Sequence, residues 1–268
     1  MSETITSFQN PRVKQIKRLR DRKGRERESR FVVDDVRDFE RAVECDFELD
    51  YAFICPELAA DPQELDRLEQ IIPAYQRFDV SRDLMENVSY RTNPGPLVGV
   101  MLARKPLSVI DDHVTITPPI LGLVGLQKPG NIGALLRSAD AAGFKTIFLI
   151  DIPLDLFNPN VIRSSTGAVF LSNIYTLTEA QAARYFEKEN YQIVAAHLEG
   201  DRSLYSVRFA ERCAILLGTE DVGLSQAWVE RCVVLLKIPM MGVLSDSLNV
   251  SVSGAVIMYE VLRQRTTS

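Results

Sequence analysis

The C-terminal part of the chain contains Ile238-Pro239-Met240-Met241-Gly242 and, shortly after it, Ser247-Leu248-Asn249-Val250-Ser251. An apolar run that ends in Ile-Pro predicts a buried strand that stops, because proline cannot donate to a strand ladder and restricts the residue before it. Gly242 suits a tight loop, and Ser247 or Asn249 is typical of a helix N-cap. This stretch therefore predicts a strand, a loop and a helix start that meet at one point.

The residues that follow predict the helix, because apolar side chains recur there at helical spacing. They are Val252, Ala255, Val256, Tyr259 and Leu262. A junction of strand, loop and helix start leaves backbone N–H and C=O groups unpaired, which suits a ligand such as adenine with its ribose. On spacing alone, an ordinary capped helix after a strand is the simpler explanation.

Composition indicates a globular protein. The chain has 268 residues and is 46% apolar, which suits one large or two modest domains. No apolar run is long enough for a membrane span or a secretory signal, so we expect a cytoplasmic location. The four cysteines lie far apart and only two histidines are present, so we expect reduced thiols and no metal site. The cysteines are Cys45, Cys55, Cys213 and Cys232.

Charge is unevenly distributed. The net charge is −5, yet Arg12 to Arg30 contains ten Lys or Arg and three Asp or Glu. One interpretation is a solvated amphipathic helix, with Val13, Ile16 and Leu19 on one face. The other is a basic N-terminal arm, residues 1–30, that binds nucleic-acid phosphates. The candidate phosphate-binding residues are Arg12, Lys14, Lys17, Arg18, Arg20, Arg22, Lys23 and Arg25.

Residues 31–107 predict a small α/β domain, because short apolar runs alternate with helical patterns. The predicted strands are 31–33, 51–55, 75–80 and 97–102, and the predicted helices are 35–45, 62–71 and 82–88. Prolines among polar residues then predict a linker at 108–119.

Residues 120–268 predict a parallel sheet covered on both faces, because strands and helices alternate. The predicted strands are 120–126, 146–150, 191–196 and 213–217, with a helix at 179–190. After the first strand, Asn131 is placed as the N-cap of a helix on which Gly133, Arg137 and Asp140 share one face. Gly-x-Gly-x-x-Gly is absent from this turn, as is a Walker lysine.

Three segments resemble, in order, the motifs of the SpoU (TrmH-like) RNA ribose 2'-O-methyltransferases of the SPOUT class. They are Pro129-Gly130-Asn131-x-Gly133-Ala134-x-x-Arg137-x-Ala139-Asp140, then Leu217-Gly218-Thr219-Glu220-Asp221-Val222-Gly223-Leu224, then the stretch from Ile238 to Ser253. The start of the N-terminal domain, Phe31-Val32-Val33-Asp34-Asp35, resembles more loosely an L30e-like substrate-binding domain. Asp34-Asp35 stands there where that family commonly has Glu-Gly.

The resemblance implies an S-adenosylmethionine-dependent enzyme. Its fold class would be α/β, with a C-terminal parallel sheet that contains a trefoil knot, whereas topology rules alone predict an unknotted doubly wound sheet. A homodimer is also implied. The implied catalytic residues are Arg137, Asn131, Glu220, Ser247 and Asn249. The implied cofactor-binding residues are Gly218, Thr219, Glu220, Ile238, Met240, Met241, Ser247, Leu248 and Asn249, and Arg163 lies in a segment that resembles part of the RNA-facing surface.

Several alternatives stay open. Arg137 is either a base activated by the RNA phosphate or a clamp for phosphate and hydroxyl, because a guanidinium ordinarily stays protonated. A separate N-terminal domain favours ribosomal (23S) RNA over transfer RNA as substrate. The rival functions are a non-enzymatic RNA-binding or ribosome-assembly protein and a nucleotide-dependent small-molecule enzyme. Ser245-Asp246 also makes the last motif's loop one residue longer than is typical of the family.

Overall fold

The computed structural model describes residues 3–108, 116–153, 155–171, 173–197, 200–244 and 247–267. The chain divides into two compact units. Unit 1 is formed by Met1–Lys105 together with Asp155–Leu171, and unit 2 by Pro106–Leu154 together with Ser172–Ser268.

Strands and helices are numbered along the chain. The strands are β1 Glu3–Ile5, β2 Arg30–Val33, β3 Leu49–Ile54, β4 Arg77–Val80, β5 Leu97–Leu102, β6 Ile120–Val124, β7 Thr146–Ile150, β8 Ile174–Leu177, β9 Gln192–Ala196, β10 Arg202–Ser203, β11 Cys213–Leu217 and β12 Val234–Lys237. The helices are α1 Pro11–Arg18, α2 Arg22–Glu28, α3 Val36–Glu44, α4 Pro62–Ile71, α5 Arg82–Val88, α6 Pro129–Ala141, α7 Pro159–Ser165, α8 Glu179–Lys188, α9 Gln226–Arg231 and α10 Val250–Thr266.

Unit 1 contains a five-stranded sheet in the order β1-β4-β3-β5-β2. β5 runs antiparallel to both β2 and β3, whereas β4 is parallel to β1 and β3. The strands and helices predicted between residues 31 and 102 are confirmed, with one shorter strand. Residues Ala74–Gln76 form a 3-10 turn, so β4 begins only at Arg77.

The basic N-terminal segment packs as part of unit 1 and is not a separate arm, whereas its binding to nucleic-acid phosphates stays a prediction. β1 pairs with β4, and Val13, Ile16 and Leu19 are fully buried in the core of unit 1. The amphipathic-helix interpretation is therefore confirmed for α1. Burying these side chains removes apolar surface from water, which ties the segment to the sheet.

Residues 155–171 also pack in unit 1, although the sequence predicted them within the C-terminal domain. The ring of Phe157 stacks on Phe31, with centroids 4.2 Å apart, and Phe170 lies 5.8 Å from Phe31. The Nε of Arg25 donates to a carboxylate oxygen of Asp155 at 2.6 Å, and the two side chains are only 5% and 12% exposed. These contacts join segments that are 130 residues apart in the sequence.

Unit 2 contains a seven-stranded sheet in the order β10-β12-β9-β11-β6-β7-β8. Every pairing in it is parallel, which confirms the prediction for residues 120–268. All residues of β6, β7 and β11 are buried, as expected for a parallel sheet with helices on both faces. Large aromatic side chains, among them Phe148, Phe186 and Trp228, fill the core beside the sheet.

The helix α10 begins as predicted, but its predicted apolar face is not the buried one. Val252 and Tyr259 are 47% and 51% exposed, whereas Ile257, Met258 and Val261 are buried. The reason is close packing at Gly254, where an added Cβ would lie 2.4 Å from Leu135 on α6. α10 has apolar residues on both sides, so its spacing alone could not identify the buried side.

The Arg25–Asp155 ion pair provides a test of how residues 155–171 are held in unit 1. Arg25→Met would leave Asp155 buried without its cation. We expect the free energy of unfolding to fall by about 3–5 kcal/mol, because removing one partner of a buried pair leaves an uncompensated charge. Urea denaturation followed by circular dichroism measures the change.

The matched control is Arg22→Met. Arg22 pairs with Glu26 at 2.6 Å, but both side chains are more than half exposed. We expect a change within about 0.5 kcal/mol, because exposed ion pairs contribute little. Equal losses in the two variants would contradict a structural role for Arg25.

Candidate active site

The candidate site lies at the carboxyl edge of the parallel sheet in unit 2. β6, β11 and β12 end there, and each is followed by one of the three motif segments. From β6, the sheet continues through β7 and β8 on one side and through β11, β9 and β12 on the other. The strand order therefore reverses between β6 and β11. Such a reversal leaves a crevice at the strand ends, which is where open parallel sheets bind ligands.

The carboxylate of Glu220 joins the three motif segments. Its Oε1 accepts hydrogen bonds from the amides of Asn131 at 2.7 Å and Asn249 at 2.8 Å. Lys128 forms an ion pair with Oε2 of the same carboxylate. The Asn249 amide also lies 3.4 Å from the side-chain oxygen of Asn131. Residues that are far apart in the sequence therefore form one polar cluster.

The donors around Glu220 favour its ionised form. The hydrogen bond from Lys128 is the main reason that the pKa of Glu220 is lowered, and the Asn131 amide and the Val250 backbone N–H act in the same direction. The pKa of Lys128 is raised, chiefly by its hydrogen bond to Glu220. The side chains of Lys128 and Glu220 are 70% and 24% exposed, so the pair orients groups at the surface and adds little stability.

A tight turn holds Glu220 in place. The backbone N–H of Thr219 donates to the carbonyl of Gly223 at 3.1 Å, and the N–H of Gly223 donates back at 3.0 Å. Gly223 has φ +69°, and an added Cβ on Gly218 would lie 2.4 Å from the carbonyl carbon of Gly223. The glycines of this motif are therefore required by the turn itself.

The start of α6 differs from the prediction. Asn131 is not the N-cap: Lys128 occupies that position and Pro129 is the first helical residue. Proline favours this position because its φ angle is already helical. Asn131 thus lies in the first turn, where its amide reaches Glu220. Sequence reasoning missed Lys128, and Pro129 is the signal that could have placed the helix start there.

Arg137 lies on α6 and is exposed. It is six residues beyond Asn131, or about 240° further around the helix, so the two side chains are on different faces. Among the described residues it has no hydrogen-bond or ion-pair partner. The structure does not bring Arg137 to Glu220, and its guanidinium is available to a ligand.

The loop after β12 presents apolar side chains and unpaired backbone groups. Met241, Val243 and Leu244 are 95%, 98% and 99% exposed. Within the described part of the loop, 238–244, no backbone group forms a hydrogen bond with another backbone group. The predicted residues Ile238 and Met240 are half-buried here. Ser245-Asp246 lies outside the described residues.

The last motif ends as predicted, with Asn249 as the N-cap of α10. Its side-chain oxygen accepts hydrogen bonds from the N–H of Ser251 at 2.9 Å and from the Ser251 hydroxyl at 2.6 Å. The carbonyl of Leu248 accepts from the Ser253 hydroxyl at 3.4 Å. Ser247 is exposed next to them. The oxygen of Asn249 therefore caps the helix while its nitrogen binds Glu220.

The basic side chains proposed for RNA binding fall into two groups. Arg25 is buried and also donates to the carbonyls of Leu19 and Arg20, so its assignment to RNA binding is wrong. Others pack on or pair with neighbours. Arg12 lies over the ring of Phe78, Arg18 pairs with Glu28, Arg20 binds the carbonyls of Asn87 and Ser89, and Arg22 pairs with Glu26.

The second group consists of charged side chains that are exposed to solvent. Lys14, Lys17 and Lys23 are exposed, as is Arg163 on α7. None of their side chains has a partner in the part of the chain that the structure describes. Of the basic side chains proposed for RNA binding, these four are therefore available to phosphate.

The architecture of this sheet with its three motif segments is that of the SPOUT-class methyltransferases. The model of the SpoU rRNA Methylase family matches residues 118–259, and the chain belongs to that family. Residues 10–99 match the MRM3-like substrate binding domain, which confirms the prediction of an N-terminal substrate-binding domain.

Two solved structures are similar over almost the whole chain. An RNA 2'-O ribose methyltransferase is 35% identical, with a TM-score of 0.86, and the match covers 98% of this chain and 99% of that one. The SpoU methyltransferase AviRb from Streptomyces viridochromogenes, solved with AdoMet, is 26% identical. Its TM-score is 0.80, and the match covers 97% of this chain and 100% of that one.

A curated relative is similar over part of the chain. The 23S rRNA (guanosine-2'-O-)-methyltransferase RlmB of Salmonella typhi is 36% identical over 150 residues. The match covers 56% of this chain and 61% of that protein. The chain thus spans about three-fifths of the length of this relative.

Gly218→Ala tests the turn that positions Glu220. The new Cβ would overlap the backbone of Gly223, so we expect a loss of about 1–3 kcal/mol in the free energy of unfolding. Gly130→Ala is the control, because its added Cβ would meet nothing within 4 Å in the first turn of α6. That variant should be neutral or stabilised by up to about 1 kcal/mol. Thermal unfolding compares the two, and an undisturbed Gly218→Ala protein would contradict the requirement for glycine.

Proposed function

We propose that this protein is an S-adenosylmethionine-dependent RNA ribose 2'-O-methyltransferase. The observation that supports it best is that the side-chain amides of Asn131 and Asn249 both donate to the carboxylate of Glu220. These hydrogen bonds bring the three family motifs together. Membership of the SpoU rRNA Methylase family supports methyl transfer to RNA as the reaction.

The residues at the carboxyl edge fit S-adenosylmethionine. Backbone N–H and C=O groups in 238–244 suit the edges of adenine, and exposed Met241 and Leu244 suit its apolar faces. The turn at Gly218 and Thr219, with Leu248 and Asn249, would complete the binding loops. When bound, the cofactor supplies an already activated methyl group on its sulfonium. AviRb, whose match covers 97% of this chain, was solved in complex with AdoMet.

The residues of the protein then have to place a ribose 2'-hydroxyl beside the methyl group and to remove the proton of that hydroxyl. Arg137 suits the RNA side of this step, because it is exposed and has no partner among the described residues. Its planar guanidinium would bind the phosphate next to the reacting ribose. Glu220, with Lys128, would keep the amides of Asn131 and Asn249 oriented. Ser247 adds an exposed hydroxyl nearby.

We propose 23S ribosomal RNA as the substrate. Residues 10–99 match the MRM3-like substrate binding domain, and RlmB of Salmonella typhi acts on 23S rRNA. The alternatives are a transfer RNA substrate and a non-enzymatic RNA-binding protein.

We also propose a homodimer that works without a metal ion. An apolar stripe on α10, which includes Val252 and Tyr259, is about half exposed and would be covered by a second copy. Among the described residues no His, Cys, Asp or Glu group suits a metal ion.

The proposed fold contains a trefoil knot, and the proposed location is the cytoplasm. For the knot, the support is that the chain leaves β12, which lies between β10 and β9, and returns to pack α10 on α6. No helix within the described ranges is long and apolar enough to cross a membrane. For the location, the support is that the cysteines of the described residues are free thiols, as is usual in a reducing compartment.

Arg137→Ala tests the function and the role of this residue together. We expect methyl transfer to 23S RNA to fall by roughly two orders of magnitude, the scale of a lost catalytic group, while S-adenosylmethionine binding stays near normal. Transfer is measured by mapping 2'-O-methylation, and cofactor binding by calorimetry with EDTA present. Arg137→Lys keeps the charge but loses the planar fork, so failure to restore activity would indicate bidentate geometry.

The matched control is Arg184→Ala, which removes an exposed arginine from α8. It should keep wild-type activity. Wild-type rates in Arg137→Ala would refute the catalytic assignment. A folded protein that gives no heat with S-adenosylmethionine would refute the function itself, and RNA binding without any methyl transfer would favour the non-enzymatic alternative.

The exposed lysines of unit 1 give a separate prediction about RNA affinity. Replacing Lys14, Lys17 and Lys23 by Gln should flatten the plot of log affinity against log salt by roughly 0.7–0.9 for each phosphate that is no longer neutralised. Filter binding at several salt concentrations measures the slope. Lys145→Gln removes an exposed lysine of unit 2 as a control. An unchanged slope in the triple variant would show that these lysines are merely solvated.

A further inference from the structure

Unit 1 contains two adjoining cavities beside the start of α3. A narrow cavity of about 80 Å³ and a wider, open one of about 390 Å³ share four lining residues. The shared residues are Asp34, Asp35, Arg37 and Arg91. Asp38 and Arg163 line only the narrow cavity. Together the cavities form a cleft with a deep end at Asp38.

Three of the four carboxylates at this cleft are satisfied by the protein. Glu64, in the wider cavity, accepts a hydrogen bond from the backbone N–H of Ala60 at 2.8 Å. Asp34 accepts hydrogen bonds from the Ser89 hydroxyl at 2.9 Å and from the backbone N–H of Tyr90 at 2.8 Å. Asp35 caps α3 and pairs with Arg91. The three side chains therefore have structural roles.

Asp38 is different. It is 4% exposed, and its Oδ1 is buried without a hydrogen-bond partner. Among the described residues its other oxygen has no partner either. Burial raises the pKa of Asp38 to about 6, with a further contribution from Asp35, while Arg37, Arg41 and Arg91 oppose the rise. A buried carboxyl without partners is costly, and proteins that keep one at a cavity commonly use it for a ligand.

The rim of the narrow cavity is cationic. Arg37 and Arg163 are both exposed, and neither side chain has a partner within the ranges that the structure describes. A simple anion would meet these guanidiniums but would be repelled by Asp38. A simple cation would meet Asp38 but would be repelled by the arginines. The ligand that fits has an anionic group outside and a hydrogen-bond donor inside.

A nucleotide has that arrangement of groups. Guanidinium groups bind phosphate well, and an Asp carboxylate accepts from the amino group of a base, as it does from N4 of cytosine. Unpaired RNA bases are commonly turned outward into such clefts. We propose that the cleft is a subsite for one unpaired RNA nucleotide, whose amino group donates to Asp38 while its phosphate lies at Arg37 and Arg163. The proposal rests on the proposed function only in taking RNA as the substrate.

The test uses the full-length protein and two labelled pentanucleotides, UUCUU and UUUUU. Cytosine presents an amino group where uracil presents a carbonyl, so the two RNAs differ in the donor that matters. We expect about three- to tenfold tighter binding of UUCUU at pH 7.5, the range for one net hydrogen bond. Fluorescence anisotropy measures both affinities.

Asp38→Asn should abolish this preference, and the preference of the wild type should shrink below pH 6 as Asp38 takes up a proton. Asp66→Asn, at an exposed position of α4, is the control and should keep it. Arg163→Ala should weaken both RNAs by similar factors. S-adenosylmethionine binding should stay unchanged in every variant, since the proposed cofactor loops lie in unit 2.

Equal affinity of the wild type for the two RNAs would overturn the proposal, as would a preference that survives in Asp38→Asn. Either result with normal cofactor binding and methyl transfer would leave the proposed function intact. Loss of cofactor binding in the wild type would instead refute the proposed function.

Discussion

The candidate site depends on the hydrogen bonds that the carboxylate of Glu220 accepts. This carboxylate accepts from amides on two other segments, Asn131, which is 89 residues away, and Asn249, which is 29 residues away. An ionised carboxylate only accepts hydrogen bonds, so Glu220 can orient the N–H donors of both amides. The parallel sheet makes this possible, because strands that are distant in sequence end at the same edge.

The same cluster shows how stability and function are separated in unit 2. Lys128 and Glu220 are at the surface, where an ion pair contributes little to folding. Stability comes from buried side chains such as Phe148, Phe186 and Trp228, which are large and fully enclosed. The polar edge can therefore hold groups for a ligand while the core keeps the strand ends in place.

Unit 1 uses charged residues in two ways. Arg25 is enclosed between backbone carbonyls and Asp155, so its charge joins two parts of the chain. Lys23, two residues earlier on the same helix α2, faces solvent. Neighbouring cations thus differ in role because the helical repeat turns some of them toward the core and others away from it.

The sequence by itself determined the strands and helices that it predicted between residues 31 and 102, the parallel sheet and the cap at Asn249. These depend on short-range patterns, since strand and helix periodicity and capping involve residues that are close along the chain. Family motifs also identified most residues of the Glu220 cluster, although not Lys128.

Only the tertiary structure decided which surfaces meet. Which side of α10 is buried depends on how closely Gly254 approaches Leu135. The burial of Arg25 depends on its ion pair with Asp155, 130 residues away. The missing partners of Asp38 likewise follow from what surrounds α3. Such contacts are set by complementary shape and charge between distant segments, which local sequence patterns do not specify.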